Sequence, residues 1–426
     1  MNEVRDLIIG IDFGKESSQI AVYDRKASEP CSISETVGSS DFEIPTTVCL
    51  RHKNKAFCIG TEAKYFSSQN EGTIIPDLLS LCLVEADTVE IDGETWPLSY
   101  ILAGFLTCLL KMTGISHAVS NTSCIAIGVE TLTPELVRHL SAACEEAGFA
   151  RDNYLLMDYP QCFFYYAMTQ RRENWNRNIG WYEFRQDTVL FSRLSVQSQS
   201  ARTPITVRLQ NAGQTTLPPL PQQGTERDDA FALFIKKTLS SDLYSTILLT
   251  GNGFSKDWSE RSVKILIQQQ RKAFYGNNLF AKGACAGAKE RKEDKKLKAY
   301  RFLSDSMVLS NVGMDLLVMG TPAYHPLIVA GRNWYEYHIS CEIILDETAE
   351  LVFIVSQAGS TEKRKVAMKL DGLIDRPPRT NRILLSMKYL SKDDCEITVE
   401  DLGFGEMFPS TGKTWTEVVN WGEESV

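Results

Sequence analysis

The chain has no apolar run long enough to cross a bilayer. Its longest nearly apolar stretch, residues 98–110, spans 13 residues and ends at Lys111, against the roughly 20 a spanning helix needs. A buried helix is expected there, and no membrane partner. There is no excess of base either: 45 Lys and Arg against 54 Asp and Glu leave a net charge of −9. That is the wrong sign for a protein held to nucleic acid by phosphate contacts. Among eleven cysteines and five histidines there is no Cys-x-x-Cys. No structural zinc site is expected, and the thiols read as reduced and mostly buried, in a cytoplasmic protein. The opening MNEVRDLIIG lacks the apolar h-region of a signal peptide.

What is present is enough apolar material for a core. Hydrophobic residues make up 43 % of 426, so extensive disorder is excluded and two or three domains are expected. Strand and helix patterns alternate through the first part. LIIGIDF, SQIAVYD, TTVCLRH and CIAIGVE read as strands and PLSYILAGFLTCLLKMT as a helix. TPELVRHLSAACEEAG reads as a helix capped by Thr133 and stopped at Gly148. NYLLMDYPQ leads into a further helix. A second alternating unit begins at NIGWYEF and TVLFSRLSV. Residues 211–228, rich in Pro, Gly and Gln, read as a loop; a helix, the strand STILLTG and another helix follow. KERKEDKKLK, residues 289–298, reads as a solvated helix end or linker. Beyond Ser304 the helix patterns stop, and strands such as HISCEIIL, AELVFIVSQ, RILLSMKYL and CEITVED follow at sandwich spacing. A boundary is expected near residue 300.

The tip of the first hairpin, IDFGKESSQ, carries a carboxylate and a glycine in a turn, the kind of place where backbone amides hold phosphate and an Asp holds a hydrated cation. In order along the chain, GIDFGKESSQIAV, EIPTTVCL, CIAIGVETLTPELVRHLSAACEEAGF, DYPQCFFYYA, ILLTGNGFSKDW, NLFAKGACAGA and KLDGLIDRPPRTNRILLSMKYLSKDDCEITVED resemble segments of the DnaK-type heat-shock chaperones, members of the actin-like ATPase superfamily. The resemblance implies an α/β actin-like (ribonuclease H-like), two-lobed ATPase-type domain over 1–300, with lobes of about 1–175 and 176–300. An all-β sandwich over 301–426, like the chaperones' substrate-binding domain, would follow. No helical lid is expected after the last strand.

Carried over residue by residue, the resemblance places nucleotide contacts at Asp12, Gly14, Lys15, Asp158, Glu183, Thr188, Gly251 and Gly253, and a metal ion between Asp12 and Glu183. Met319, Tyr324 and Ile339 would line a peptide groove. The departures are as informative. YEFRQDT, residues 182–188, stands where three consecutive glycines belong, and Asp187 brings a negative charge where phosphate oxygens would lie. No lysine occurs from Thr73 to Val84, where the family's catalytic lysine is expected. Phosphoryl transfer rests on such positioning and charge stabilisation, so ATPase activity is expected to be weak or absent and no catalytic residue is assigned. The cofactor is ATP or ADP with magnesium, or none. The function expected is a divergent chaperone-like or adaptor protein with a polypeptide partner. The alternatives are a slow true ATPase and an actin-like filament or complex component.

Overall fold

Leu7–Phe13 (β1) is buried at six of its seven positions, the continuous apolar pattern of a strand covered on both faces. It turns back into Ser17–Asp24 (β2), which pairs with Glu29–Ile33 (β3). Thr122–Val129 (β4), buried throughout, runs parallel to β1, and Tyr154–Asp158 (β5) runs parallel to β4. The order is β3-β2-β1-β4-β5, with Ile44–Pro45 also on β2. The apolar run expected to be a buried helix is one, Leu98–Lys111 (α1). Pro134–Glu146 (α2) joins β4 to β5. The Thr133 hydroxyl accepts from the Leu136 amide, and Gly148 takes φ +97° just past the end, so both helix signals act as the sequence suggests. The computed structural model describes residues 6–422 except 37, 116, 198–204, 220–224, 305 and 347.

After β5 the chain forms Tyr159–Met168 (α3) and then repeats the same strand order. Asn178–Arg185 (β6), Thr188–Gln197 (β7) and Ile205–Thr216 (β8) form an antiparallel meander. Thr225–Thr238 (α4) leads to Tyr244–Thr250 (β9) and Lys272–Tyr275 (β10), each parallel to its neighbour. The order is β8-β7-β6-β9-β10, with Tyr300–Leu303 beyond β8. The loop expected over 211–228 is thereby corrected: residues 211–216 extend β8 and 225–228 open α4, while 220–224 lie outside the described residues. The strand runs on through the polar NAGQTT across a bulge at Ala212, with alternate exposure resuming from Gly213 to Thr216. Aromatic rings, among them Tyr182, Phe184, Phe191, Phe231, Phe254 and Trp258, fill the core under this sheet.

Leu279–Lys289 (α5) closes the first unit against β1 and α3, and small side chains let it. A Cβ on Gly10 would lie 2.2 Å from the Ala281 carbonyl oxygen, and one on Gly283 2.0 Å from that of Cys162. Residues 289–298 are not a freely solvated helix end. α5 runs on into a wider turn, Glu290–Asp294, in which Glu290 is buried and accepts from the Leu297 amide. Glu293 pairs with Arg25 at 2.8 Å, and Lys292 donates to Asn153. Those contacts tie the charge run to the first sheet.

The chain divides into two compact units, Met1–Phe302 and Leu303–Val426. The first is mixed α/β and the second all-β. Ser310–Val318 (β11), Thr321–Ile328 (β12), His338–Leu345 (β13), Glu350–Gln357 (β14), Arg364–Lys369 (β15), Asn381–Tyr389 (β16), Asp394–Asp401 (β17) and Thr414–Asn420 (β18) make two antiparallel sheets, β12-β11-β14-β15 and β13-β16-β17-β18. Burial alternates along β14, β16 and β17, so each sheet offers one apolar face. Phe353 of one sheet meets Trp421, which follows the other, at 5.8 Å between centroids. The apolar stretch SMVLSNVGMDLLVMG, residues 306–320, is mostly β11.

Valine at position 10 is expected to destabilise the first unit by about 1–3 kcal/mol or more, the usual cost of overpacking, because the clash is with backbone. Gly10→Val should lower the urea midpoint far more than a valine at Gly276, whose backbone is not left-handed and where a Cβ would meet only the Asn278 side chain, at 3.2 Å.

Candidate functional site

The two strand-turn-strand tips, β1–β2 and β6–β7, hold the residues the resemblance singles out. At the first, the Gly14 carbonyl accepts from the Thr46 hydroxyl at 2.8 Å, and Thr46 is bonded in turn to Ser18. Lys15 is exposed at the tip. Its charge helps depress the Asp77 carboxyl, whose main stabiliser is the Ser80 hydroxyl. Lys15 therefore stands beside the segment that lacks a lysine of its own. Asp12 is buried, and the Tyr159 hydroxyl donates to it at 2.8 Å. The Tyr159 ring lies flat on Phe280, centroids 3.7 Å apart and planes within 4°. Burial pushes the Asp12 carboxyl up to about 7; the Tyr159 hydrogen bond opposes that shift and Glu43 adds to it. Burial and the neighbouring Asp12 push the Tyr159 hydroxyl upward as well, so it stays a donor.

At the second tip Arg185 and Thr188 face each other across a two-residue turn, with Gln186 at φ +54° in a place suited to glycine. Glu183 sits in β6 with its carboxylate held by Arg185, Nε at 3.0 Å and Nη2 at 3.2 Å. The same Arg185 reaches Glu130 at 2.9 Å. Burial raises the Glu183 carboxyl and Arg185 pulls it back. Thr188 opens β7 opposite Thr216. Behind the turn lies Arg227, wholly buried. It donates to Asp187 at 2.8 Å, to the Gln186 carbonyl at 3.0 Å and to the Gly253 carbonyl at 3.3 Å.

Three expectations change in this setting. Asp187 is not a free negative charge awaiting phosphate, because Arg227 neutralises it. Asp158 caps α3, accepting from the Gln161 amide at 2.8 Å, and is buried in that task rather than set to orient a water. Gly251 and Gly253 do not frame an open loop. A Cβ at 251 would lie 2.0 Å from the Phe184 carbonyl oxygen and one at 253 2.4 Å from that of Gln186, so the 251–253 turn packs directly on the β6–β7 tip. Phe254, which follows that turn, belongs to the aromatic core. Asp12 and Glu183 thus each have a protein donor, and among the described residues no group of three or more His, Cys, Asp or Glu is arranged around a metal ion.

In the second unit Met319 is the fully exposed tip of the β11–β12 hairpin, at φ +50°, beside exposed Leu317 and Val318. Tyr324 lies on β12 with its ring over Gly313 and Lys363 above it at 5.6 Å. Ile339 is on the other sheet, opposite buried Met387, and shares that residue's face. The same hairpin carries both, Met319 at the tip and Tyr324 several rungs away opposite Asp315, and Ile339 lies elsewhere. Sequence reasoning missed Tyr159, Arg185 and Arg227 as partners. Their only signal was negative, a residue where proline, glycine or nothing in particular was expected.

Two outcomes are expected. The folded state holds the Asp12 proton up to about pH 7, whereas the unfolded chain releases it near 3.8. Stability therefore falls as pH rises between those values and is constant above. Asp12→Asn keeps an acceptor for Tyr159 and removes that loss. Its gain in urea unfolding free energy should be near zero at about pH 4 and grow to on the order of 3 kcal/mol by about pH 8. Arg227→Met should cost about 3–5 kcal/mol, since it strands buried acceptors. Asp187→Ala should cost about 1 kcal/mol or less, because Asp187 is half exposed and Arg227 keeps its carbonyl partners.

A profile described as a family of unknown function (DUF5716), C-terminal, matches residues 29–305, and one described as a domain of unknown function (DUF8552) matches residues 307–421. No curated protein matches the chain. The first match covers well over half of the 426 residues and ends within a few residues of the boundary between the two units. The chain belongs to this family of unknown function (DUF5716), its C-terminal profile ending where the all-β unit begins.

Proposed function

We propose that the chain is a DnaK-like binding protein of the actin-like class, in which the all-β unit engages a polypeptide partner and the α/β unit is a scaffold without ATP turnover. The actin-like reading is supported by the strand order 3-2-1-4-5, which occurs twice, with the expected acidic residues near matching tips. One observation carries the loss of turnover: both carboxylates that would hold a metal ion are taken by protein donors, Asp12 by Tyr159 and Glu183 by Arg185. The residues present do not fit a magnesium nucleotide as they stand. Binding one would require displacing the Tyr159 hydroxyl, ionising Asp12 and prising the 251–253 turn from the β6–β7 tip. Only exposed Lys15 would add positive charge in return. The eleven unpaired thiols, nine of them buried, suit a reducing cytoplasmic setting.

The binding surface in this reading is the β11–β12 hairpin. Three consecutive apolar residues at its tip are exposed, together with Tyr324. β12 is an edge strand, but Pro322 and Pro326 remove two of its donors. Affinity comes from side chains at the tip more than from strand addition. Titrating a fluorescent apolar peptide into the full-length protein tests this. Met319→Asp should weaken binding at least about tenfold, a change of about 1.4 kcal/mol. ATP with magnesium should leave it unchanged, with hydrolysis at background. An ATPase rate that falls on Asp12→Ala, or peptide binding indifferent to Met319, would overturn the reading.

A further inference from the structure

A second feature of the α/β unit lies beside the two tips and is used by neither. A cavity of about 330 Å³ opens between residues 40–43 of the first half and 275–278 of the second, with Gln19 at its base. Gln19 is opposite Asp12 in the β1–β2 pairing, so the two side chains leave the sheet on one face. Its side chain is 4 % exposed, and its Oε1 has no hydrogen-bond partner. A buried amide oxygen is rarely left so.

The rest of the lining offers acceptors and aromatic faces. Asp41 and Glu43 bring carboxylates, and Phe42 and Tyr275 bring rings. Among the described lining residues there is no Lys, Arg or His. The asparagine amides are engaged in part: Asn277 Nδ2 donates to Asn252 and Asn278 Nδ2 to Ser32. A site with unmet acceptors, carboxylates and ring faces selects donors and positive charge and repels phosphate. Its volume is that of a small-molecule pocket.

We propose that this cavity binds a small organic cation bearing an amino or guanidinium group. The N–H groups satisfy Gln19 Oε1, Glu43 and Asp41 supply counter-charge, and Phe42 and Tyr275 flank the cationic carbon. Because the lining comes from both halves of the α/β unit, the ligand would also bridge them. The proposal does not depend on the peptide surface of the all-β unit.

Calorimetry on the full-length protein, with agmatine as the probe, tests it. The expected result is a saturable one-to-one isotherm, weakened at least about tenfold by Glu43→Gln, an exposed position where folding is not at risk, and likewise by Gln19→Met. 4-Guanidinobutyrate, which has a carboxylate in place of agmatine's ammonium end, should bind at least about tenfold more weakly than agmatine. The absence of saturable heat with agmatine overturns the proposal. So does unchanged affinity in Glu43→Gln, or binding of an arginine-containing peptide without binding of the free amine. ATP binding that these two substitutions weaken would assign the cavity to anions instead. None of these outcomes touches the Met319 experiment, so the two readings fail separately.

Discussion

Backbone contact between α5 and its neighbours is the constraint on which the α/β unit depends. Gly10 and Gly283 allow the helix to lie against β1 and α3 with no side chain between them. That depth fixes Phe280, one turn before Gly283 and near the helix start. Phe280 in turn supplies the flat surface on which the Tyr159 ring rests. With its ring held on that side, Tyr159 delivers its hydroxyl to Asp12. A packing decision at two glycines thus sets the chemistry of a carboxylate on the neighbouring strand tip. Gly14 takes part from the other side, lying 3.7 Å from the Tyr159 oxygen as measured to a Cβ it does not have.

The two tips meet the same electrostatic demand in different ways. A carboxylate taken from water must be protonated, hydrogen-bonded or paired. Asp12 is more deeply buried and has only a neutral donor, so its carboxyl is shifted to about 7. Glu183 is nearer the surface and has a guanidinium, which also serves Glu130. Arg185 thereby does with a fixed covalent charge what a bound cation would otherwise do for two neighbouring acids. Arg227 performs the corresponding task one layer deeper. It satisfies three carbonyls from different segments, those of Gln186, Pro218 and Gly253, and it holds the 251–253 turn against the 186–187 turn.

Much of the architecture was legible because the signals were local. β1, β2 and α2 with its cap, along with the strands from His338 to Asp401, lie where apolar periodicity and turn residues place them. The β11–β12 hairpin was not, because Gly313 and Gly320 interrupt the alternation and two prolines follow; the stretch looked like a connector. The start of residues 211–228 was misread for the opposite reason. Polar residues at alternating positions resemble a loop until the neighbouring strand is known. The site was less legible still. Arg227 meets Asp187 from forty residues away, and nothing around either residue announces the pair. Arg185 was visible only as a missing glycine, although its side chain defines what Glu183 can do.

Charge balance along this face then determines which ligands the α/β unit can favour. Asp12, Glu43 and Glu183 lie toward it, with Glu130 alongside, and of these only Glu183 and Glu130 are compensated by Arg185. Lys15 points to solvent near Asp77. Asp12 lowers its own share of the negative charge by keeping its proton up to about pH 7, but the exposed side chains of Glu43 and Asp41 frame the cavity above Gln19. An anion approaching from that side meets two carboxylates and no Lys, Arg or His among the described lining residues. A cation meets counter-charge first, then ring faces, then an amide oxygen with nothing else to bind. The β6–β7 tip, which has Arg185, Gln186 and Asp187 and no run of glycine amides, and the acids that line the cavity act in the same direction. They leave a face whose unmet buried group is the Gln19 amide oxygen.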